Sequence, residues 1–156
     1  MESDYTILPY QPEHAVAFKA LNEAWITRYF RMEETDERSL GDPQGYILEK
    51  GGHILMVMQG DRAIGTCALI AMPDSPYDYE LAKMAISPEA QGLGLGWTLG
   101  MAIVDLARSL GASSLYLESN TKLKPAISLY RKLGFVEVDG LETPYERCNI
   151  KMVLEL

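Results

Sequence analysis

ELAKMAISPEAQGLGLGWTLGMAIVDLARSL, residues 80–110, decides the fold. Its first part, with Tyr79, predicts a strand from Tyr79 to Ser87. Gln91-Gly92-Leu93-Gly94-Leu95-Gly96 then predicts a tight turn, and the apolar repeat beyond it predicts an amphipathic helix. Gly92, Gly94 and Gly96 lack a Cβ, so consecutive backbone N–H groups can point into one concavity. The helix adds its unpaired first-turn N–H groups and the positive end of its dipole. A phosphate or pyrophosphate is the ligand such a turn suits best. Leu95, Leu99, Ala102, Leu106 and Leu110 predict the buried face of the helix, and Gly111 its end.

Working outward, Tyr5 to Tyr10 predicts a short strand. Pro12 suits a first helical position, with Phe18, Leu21, Trp25 and Tyr29 at helical spacing up to Phe30. A charged segment, Arg31 to Arg38, leads through Gly41-Asp42-Pro43 into a short helix ending near Gly51-Gly52. His53 to Met58 and Ala63 to Met72 predict a hairpin turning at Gly60-Asp61, its second strand apolar enough for burial on both faces. After the glycine-rich segment come a strand at Ser114 to Glu118, a helix opened by Lys124-Pro125 and stopped at Gly134, and a strand at Phe135 to Val138. The last strand runs from Glu146 to Leu156, with Cys148, Ile150, Met152, Leu154 and Leu156 on its apolar face. This mixture predicts one α/β (α+β) domain over residues 1–156, with a mixed, mostly antiparallel sheet of six to seven strands and about four helices.

Composition narrows the function. A net charge of −8 argues against nucleic acid as a partner and mildly favours a cationic small molecule. No apolar run reaches the ~18–20 residues of a membrane span, so no membrane partner is expected. Met1-Glu2-Ser3-Asp4-Tyr5 lacks the basic start and apolar core of a secretory leader. Cys67 and Cys148 are too few for a disulfide framework or a zinc site. Reduced thiols, no metal and a cytoplasmic location are therefore expected.

The glycine-rich turn admits several readings. A nucleotide-triphosphatase loop needs Gly-Lys-Ser/Thr at its end, and here Trp97-Thr98 follows Gly96. A dinucleotide fingerprint needs Gly-x-Gly-x-x-Gly; its third position is Trp97 or Leu99, although Glu118 imitates the ribose-binding acid of that fold. A turn without a ligand would spend three glycines on conformational entropy for no return. Ile86-Ser87-Pro88-Glu89-Ala90-Gln91-Gly92-Leu93-Gly94-Leu95-Gly96 resembles the acyl-CoA loop of the GCN5-related N-acetyltransferases (GNAT superfamily), whose pattern is Arg/Gln-x-x-Gly-x-Gly/Ala. A second block of that family follows in Glu118-Ser119-Asn120 and in Ala126 to Phe135, AISLYRKLGF. The order of elements is similar over nearly the whole chain.

The resemblance implies acetyl-CoA as acyl donor and a primary amine as acceptor, joined by direct transfer in a ternary complex. It implies that Gln91, Gly92, Leu93, Gly94, Leu95 and Gly96 hold the pyrophosphate. Met84, Ala85 and Ile86 would pair through their backbone with the pantetheine arm, an N–H near Met84 would polarise the thioester carbonyl, and Asn120 would contact the same arm. An amine with a pKa near ~10.4 must lose a proton before attack. Glu80 stands where histone-type members carry a glutamate base; Glu118 and water are the rivals. Tyr130 matches the family tyrosine that serves as general acid. The segment after Asn120 is lengthened by Lys122-Leu123-Lys124-Pro125, so the alternative to the Asn120 contact is Lys122 or Lys124 reaching CoA phosphates. Trp25, Tyr29 and Phe30, with Tyr145, Arg147 and Asn149, are the candidate acceptor wall, and Trp97 is expected to pack under the cofactor helix. A homodimer is implied by analogy, and a non-catalytic acyl-CoA-binding or regulatory domain is the competing function.

Overall fold

The computed structural model describes residues 5–156; the readings that touch Met1 to Asp4, the leader test and the first residues of the domain, lie outside the described residues. One seven-stranded sheet runs in the order β1-β2-β3-β4-β5-β7-β6. Its strands are β1 (Thr6–Pro9), β2 (His53–Gln59), β3 (Arg62–Ala71), β4 (Tyr79–Ile86), β5 (Ser114–Ser119), β6 (Val136–Val138) and β7 (Ile150–Glu155). Every neighbouring pair is antiparallel except β4 and β5. Four helices flank it: α1 (Ala15–Tyr29), α2 (Glu34–Gly41), α3 (Leu95–Ser109) and α4 (Lys124–Leu133). The core divides accordingly. Leu99, Ile103, Leu115 and Phe135 belong to a cluster that includes α3, whereas Phe18, Ile26, Leu40 and Met56 form one with α1 and α2. In β3 every side chain from Ile64 to Leu69 is buried, as its unbroken apolar run predicts.

The sheet opens in its middle. β4 pairs with β5 only at Tyr79–Leu115 and Glu80–Tyr116. Beyond that point β4 stays with β3 as far as Ile86, and β5 stays with β7 as far as Ser119. Each strand thus keeps one partner, and a wedge forms between them. A bulge sharpens it: Thr66 faces Ala85 and Ala68 faces Ala82, so Lys83 and Met84 together oppose Cys67. Lys83 takes a left-handed conformation, φ 55°, a backbone state that L-residues seldom adopt.

Several expectations need correction. Part of the charged segment Arg31 to Arg38 is helical, because Glu33 and Asp36 close a capping box that starts α2. The short helix expected after Pro43 is one π-helical stretch, Gln44–Leu48. On α3 the buried residues are Leu95, Leu99, Gly100, Ile103, Val104 and Ala107, while Leu110 is exposed. The last strand begins at Ile150 rather than Glu146, since residues 145–149 are drawn away by contacts to other elements. Trp97 is 41% exposed, with the Lys132 ammonium over its ring, and so does not pack beneath α3.

Candidate active site

The wedge between β4 and β5 opens into a cavity of about 640 Å³. Glu80, Met84, Ala85, Ile86, Gln91, Gly92, Gly94, Leu95, Gly96, Asn120 and Tyr130 all line it, so nearly every residue singled out above meets in one place. Leu93 instead points outward, 66% exposed. Gly92 and Gly94 turn the chain with φ of 84° and 75°. Among the described residues no side chain caps α3 at Gly94, so the first-turn N–H groups are left without side-chain partners, as at an uncapped helix start. The Gln91 side chain ties the loop back to β4 by donating to the Ile86 carbonyl at 3.2 Å.

Tyr130 reaches the cavity because α4 lies close to α3. A Cβ at Gly100 would come within 2.9 Å of Leu133 Cδ1, and one at Gly96 within 3.5 Å of Leu129 Cδ2. The Tyr130 ring packs edge-on against Phe135, centroids 6.0 Å apart. Its hydroxyl bonds to no protein group among the described residues. Burial, with the Cys67 thiol nearby, pushes the phenol well above its ordinary range, so it holds its proton at neutral pH.

Glu80 and Glu118 differ in their engagement. The Glu118 carboxylate accepts from the Tyr116 hydroxyl at 3.0 Å and from Thr143 Oγ1 at 2.7 Å. Glu80 accepts no hydrogen bond among the described residues and stays partly open to solvent in a mainly protein surround. Burial first, then the charge on Glu118, pushes its carboxyl up to about 7, against the opposing pull of Lys83. A carboxyl poised there can take a proton near neutral pH.

An ionic cluster lies beside them. Asp36, fully buried on α2, receives both prongs of the Arg147 guanidinium at 2.6 and 2.7 Å, and Arg147 also reaches Glu33 at 3.3 Å. Burial alone would raise the Asp36 carboxyl; the Arg147 hydrogen bonds, the Glu33 amide and Lys83 hold it below its ordinary value. Lys83 Nζ donates to the Tyr145 hydroxyl at 2.8 Å and lies 3.5 Å from Asp36. Arg147 stacks against the rings of Tyr145 and Trp25, 4.4 and 5.7 Å from their centroids.

Trp25, Tyr29, Phe30, Tyr145 and Arg147 line the cavity, whereas Asn149 bonds with Thr121. Asn120 uses both ends of its amide internally, donating to the Arg147 carbonyl at 2.7 Å and accepting from the Lys122 amide at 2.8 Å. The Lys122 ammonium donates to the Tyr29 carbonyl and covers the Phe30 ring. Sequence reasoning missed Asp36 and Lys83. Glu33-Glu34-Thr35-Asp36 carried the capping signal for the first; no local signal marks the bulge at the second.

Comparison with known proteins fits this geometry. The model of the acetyltransferase (GNAT) family matches residues 18–135. Uncharacterized N-acetyltransferase YjgM of Escherichia coli (strain K12) is 32% identical over 114 residues, 70% of this chain and 68% of that one. A mycothiol acetyltransferase of Renibacterium salmoninarum is 31% identical over 141 residues, 86% of this chain but only 40% of that longer protein. In fold, the chain is similar to an acetyltransferase of the GNAT family from Staphylococcus aureus Mu50, with a TM-score of 0.87 at 18% identity, covering 97% of this chain and 99% of that one. The chain belongs to the acetyltransferase (GNAT) family: it is an acyltransferase, an N-acetyltransferase of a family that takes its acetyl group from acetyl-CoA.

Proposed function

We propose that this enzyme acetylates a primary amine directly from acetyl-CoA, with both substrates bound together. The wedge carries this reading: the open edge of β4, the glycine loop, Glu80 and Tyr130 share one cavity. The diphosphate lies against the N–H groups from Gln91 to Gly96, and Leu93 contributes through its backbone alone. The pantetheine arm pairs with the backbone of Met84, Ala85 and Ile86, which brings the thioester towards the bulge. Asn120 borders the same arm.

The incoming amine gives a proton to Glu80, directly or through one water, and its nitrogen attacks the thioester carbonyl carbon. The C–N bond forms, and the oxygen that becomes negative faces the N–H near Met84. As the C–S bond breaks, the sulfur takes the Tyr130 phenolic proton, which the site has kept in place. Glu118 is a weaker choice for the base because two hydroxyls already bond it. The proposal also includes a homodimer in the cytoplasm; light scattering on the purified chain tests the assembly.

Thiol release from acetyl-CoA across a panel of amines tests the function. Amine-dependent release is expected; slow hydrolysis that no amine accelerates would favour an acyl-CoA-binding regulator.

A further inference from the structure

The wall around Tyr145 distinguishes among amines. Burial pushes the Lys83 amine down, but the Asp36 carboxylate 3.5 Å away favours its charged form. An ammonium has only donors, so in the Lys83–Tyr145 bond of 2.8 Å the phenolic oxygen is the acceptor. The phenol's own proton is left over, and among the described residues it goes to no protein group. Both neighbouring cations are already neutralised: Arg147 lies on Asp36 and Glu33, and Lys83, its side chain only 6% exposed, lies on Asp36. Burial, together with the charges of Asp36 and Glu80, keeps the Tyr145 phenol protonated. The free donor on this wall is therefore neutral, and the two carboxylates lining the cavity, Glu80 and Glu118, have no cation at bonding distance among the described residues.

These features select by chemistry. A free carboxylate on the acceptor would meet Glu80 and Glu118 at close range. A diamine would leave the Tyr145 proton without an oxygen to accept it. An uncharged carbonyl oxygen beside the amine satisfies the phenol, while the amine itself meets Glu80. We infer that the acceptor is an α-amino amide, an amine with a neutral carbonyl on the adjacent carbon, as at the amino end of a peptide, and that Tyr145, anchored by Lys83, determines this specificity. The inference rests on the acetyl-transfer reading above.

The test measures kcat/KM for alaninamide, an alanine tripeptide amide, free alanine, putrescine and propylamine, in the wild type and in Tyr145→Phe. Alaninamide is expected to exceed propylamine by about tenfold, the worth of one good neutral hydrogen bond, and to exceed alanine and putrescine as well. In Tyr145→Phe the alaninamide-to-propylamine ratio should fall towards one. A further rise with the tripeptide amide identifies a peptide as the source of the motif; equal values identify a small amide. Transfer without a preference for alaninamide, or a ratio unchanged in the variant, overturns the inference and leaves acetyl transfer standing. No thiol release with any amine overturns both.

Discussion

The Arg147 guanidinium grips the Asp36 carboxylate with two hydrogen bonds of 2.6 and 2.7 Å, fastening the segment before β7 to α2 across 111 residues of chain. Arg147 lines the cavity, and the buried Asp36 holds it there. Asp36→Ala would leave Arg147 and Lys83 facing each other without their shared anion. We expect a loss of about 3–5 kcal/mol in urea denaturation, the usual cost of stranding a buried charge. Because folding depresses the Asp36 carboxyl, its stabilisation is present above the ordinary carboxylate range and is lost as pH falls below about 4. Asp36→Asn should flatten that part of the stability profile.

Glu80 behaves oppositely, because folding raises its pKa. Stability available while it is protonated is lost as pH climbs from about 4.5 to about 7. Glu80→Gln should thus be more stable than wild type at pH 8, by up to about 3 kcal/mol, and should lose most of that advantage at pH 5. Thermal melts at the two values check the sign.

The same residue predicts the kinetics. Wild-type kcat/KM should rise with pH through about 7, as the Glu80 carboxyl gives up its proton and becomes a competent base. Glu80→Gln should be slower by about 10²–10⁴-fold and lack that limb. An unchanged profile would move the base to Glu118 or to water.

Tyr130→Phe removes one oxygen from a ring that stays packed against Phe135. Turnover should fall by at least about 10²-fold while acetyl-CoA affinity holds, as calorimetry would report. Unchanged turnover would end the general-acid assignment.

Gly94→Ala puts a Cβ on a residue held at φ 75° where no neighbouring atom obstructs it. The cost is therefore conformational, about 1–2 kcal/mol, and it falls on the anion cradle. Acetyl-CoA should bind roughly tenfold more weakly, with little change in pH dependence.

What could be read from the sequence was local. The glycine turn, the hairpin at Gly60-Asp61 and the stop at Gly134 follow from residues close together in the chain. The buried face of α3 was harder because that helix carries two apolar stripes. Packing against the sheet after the turn at Gly94 chose Ile103 and Ala107 over Leu106 and Leu110. The ionic cluster beside the cavity was least legible. Asp36, Lys83 and Arg147 come from three separate segments, and Lys83 joins them only through a bulge set by β3 pairing. Asp36, read only as part of a charged segment, is buried through its contacts to Lys83 and Arg147.

The central claim is that the open edge of β4 and the amides from Gln91 onward hold the acyl donor so that its sulfur faces Tyr130. A crystal structure with coenzyme A tests it most directly. The account predicts the diphosphate on the Gln91–Gly96 backbone, the pantetheine arm alongside Met84 to Ile86, and the thiol within hydrogen-bonding reach of the Tyr130 hydroxyl. Coenzyme A bound outside the wedge, or a thiol remote from that hydroxyl, would contradict it.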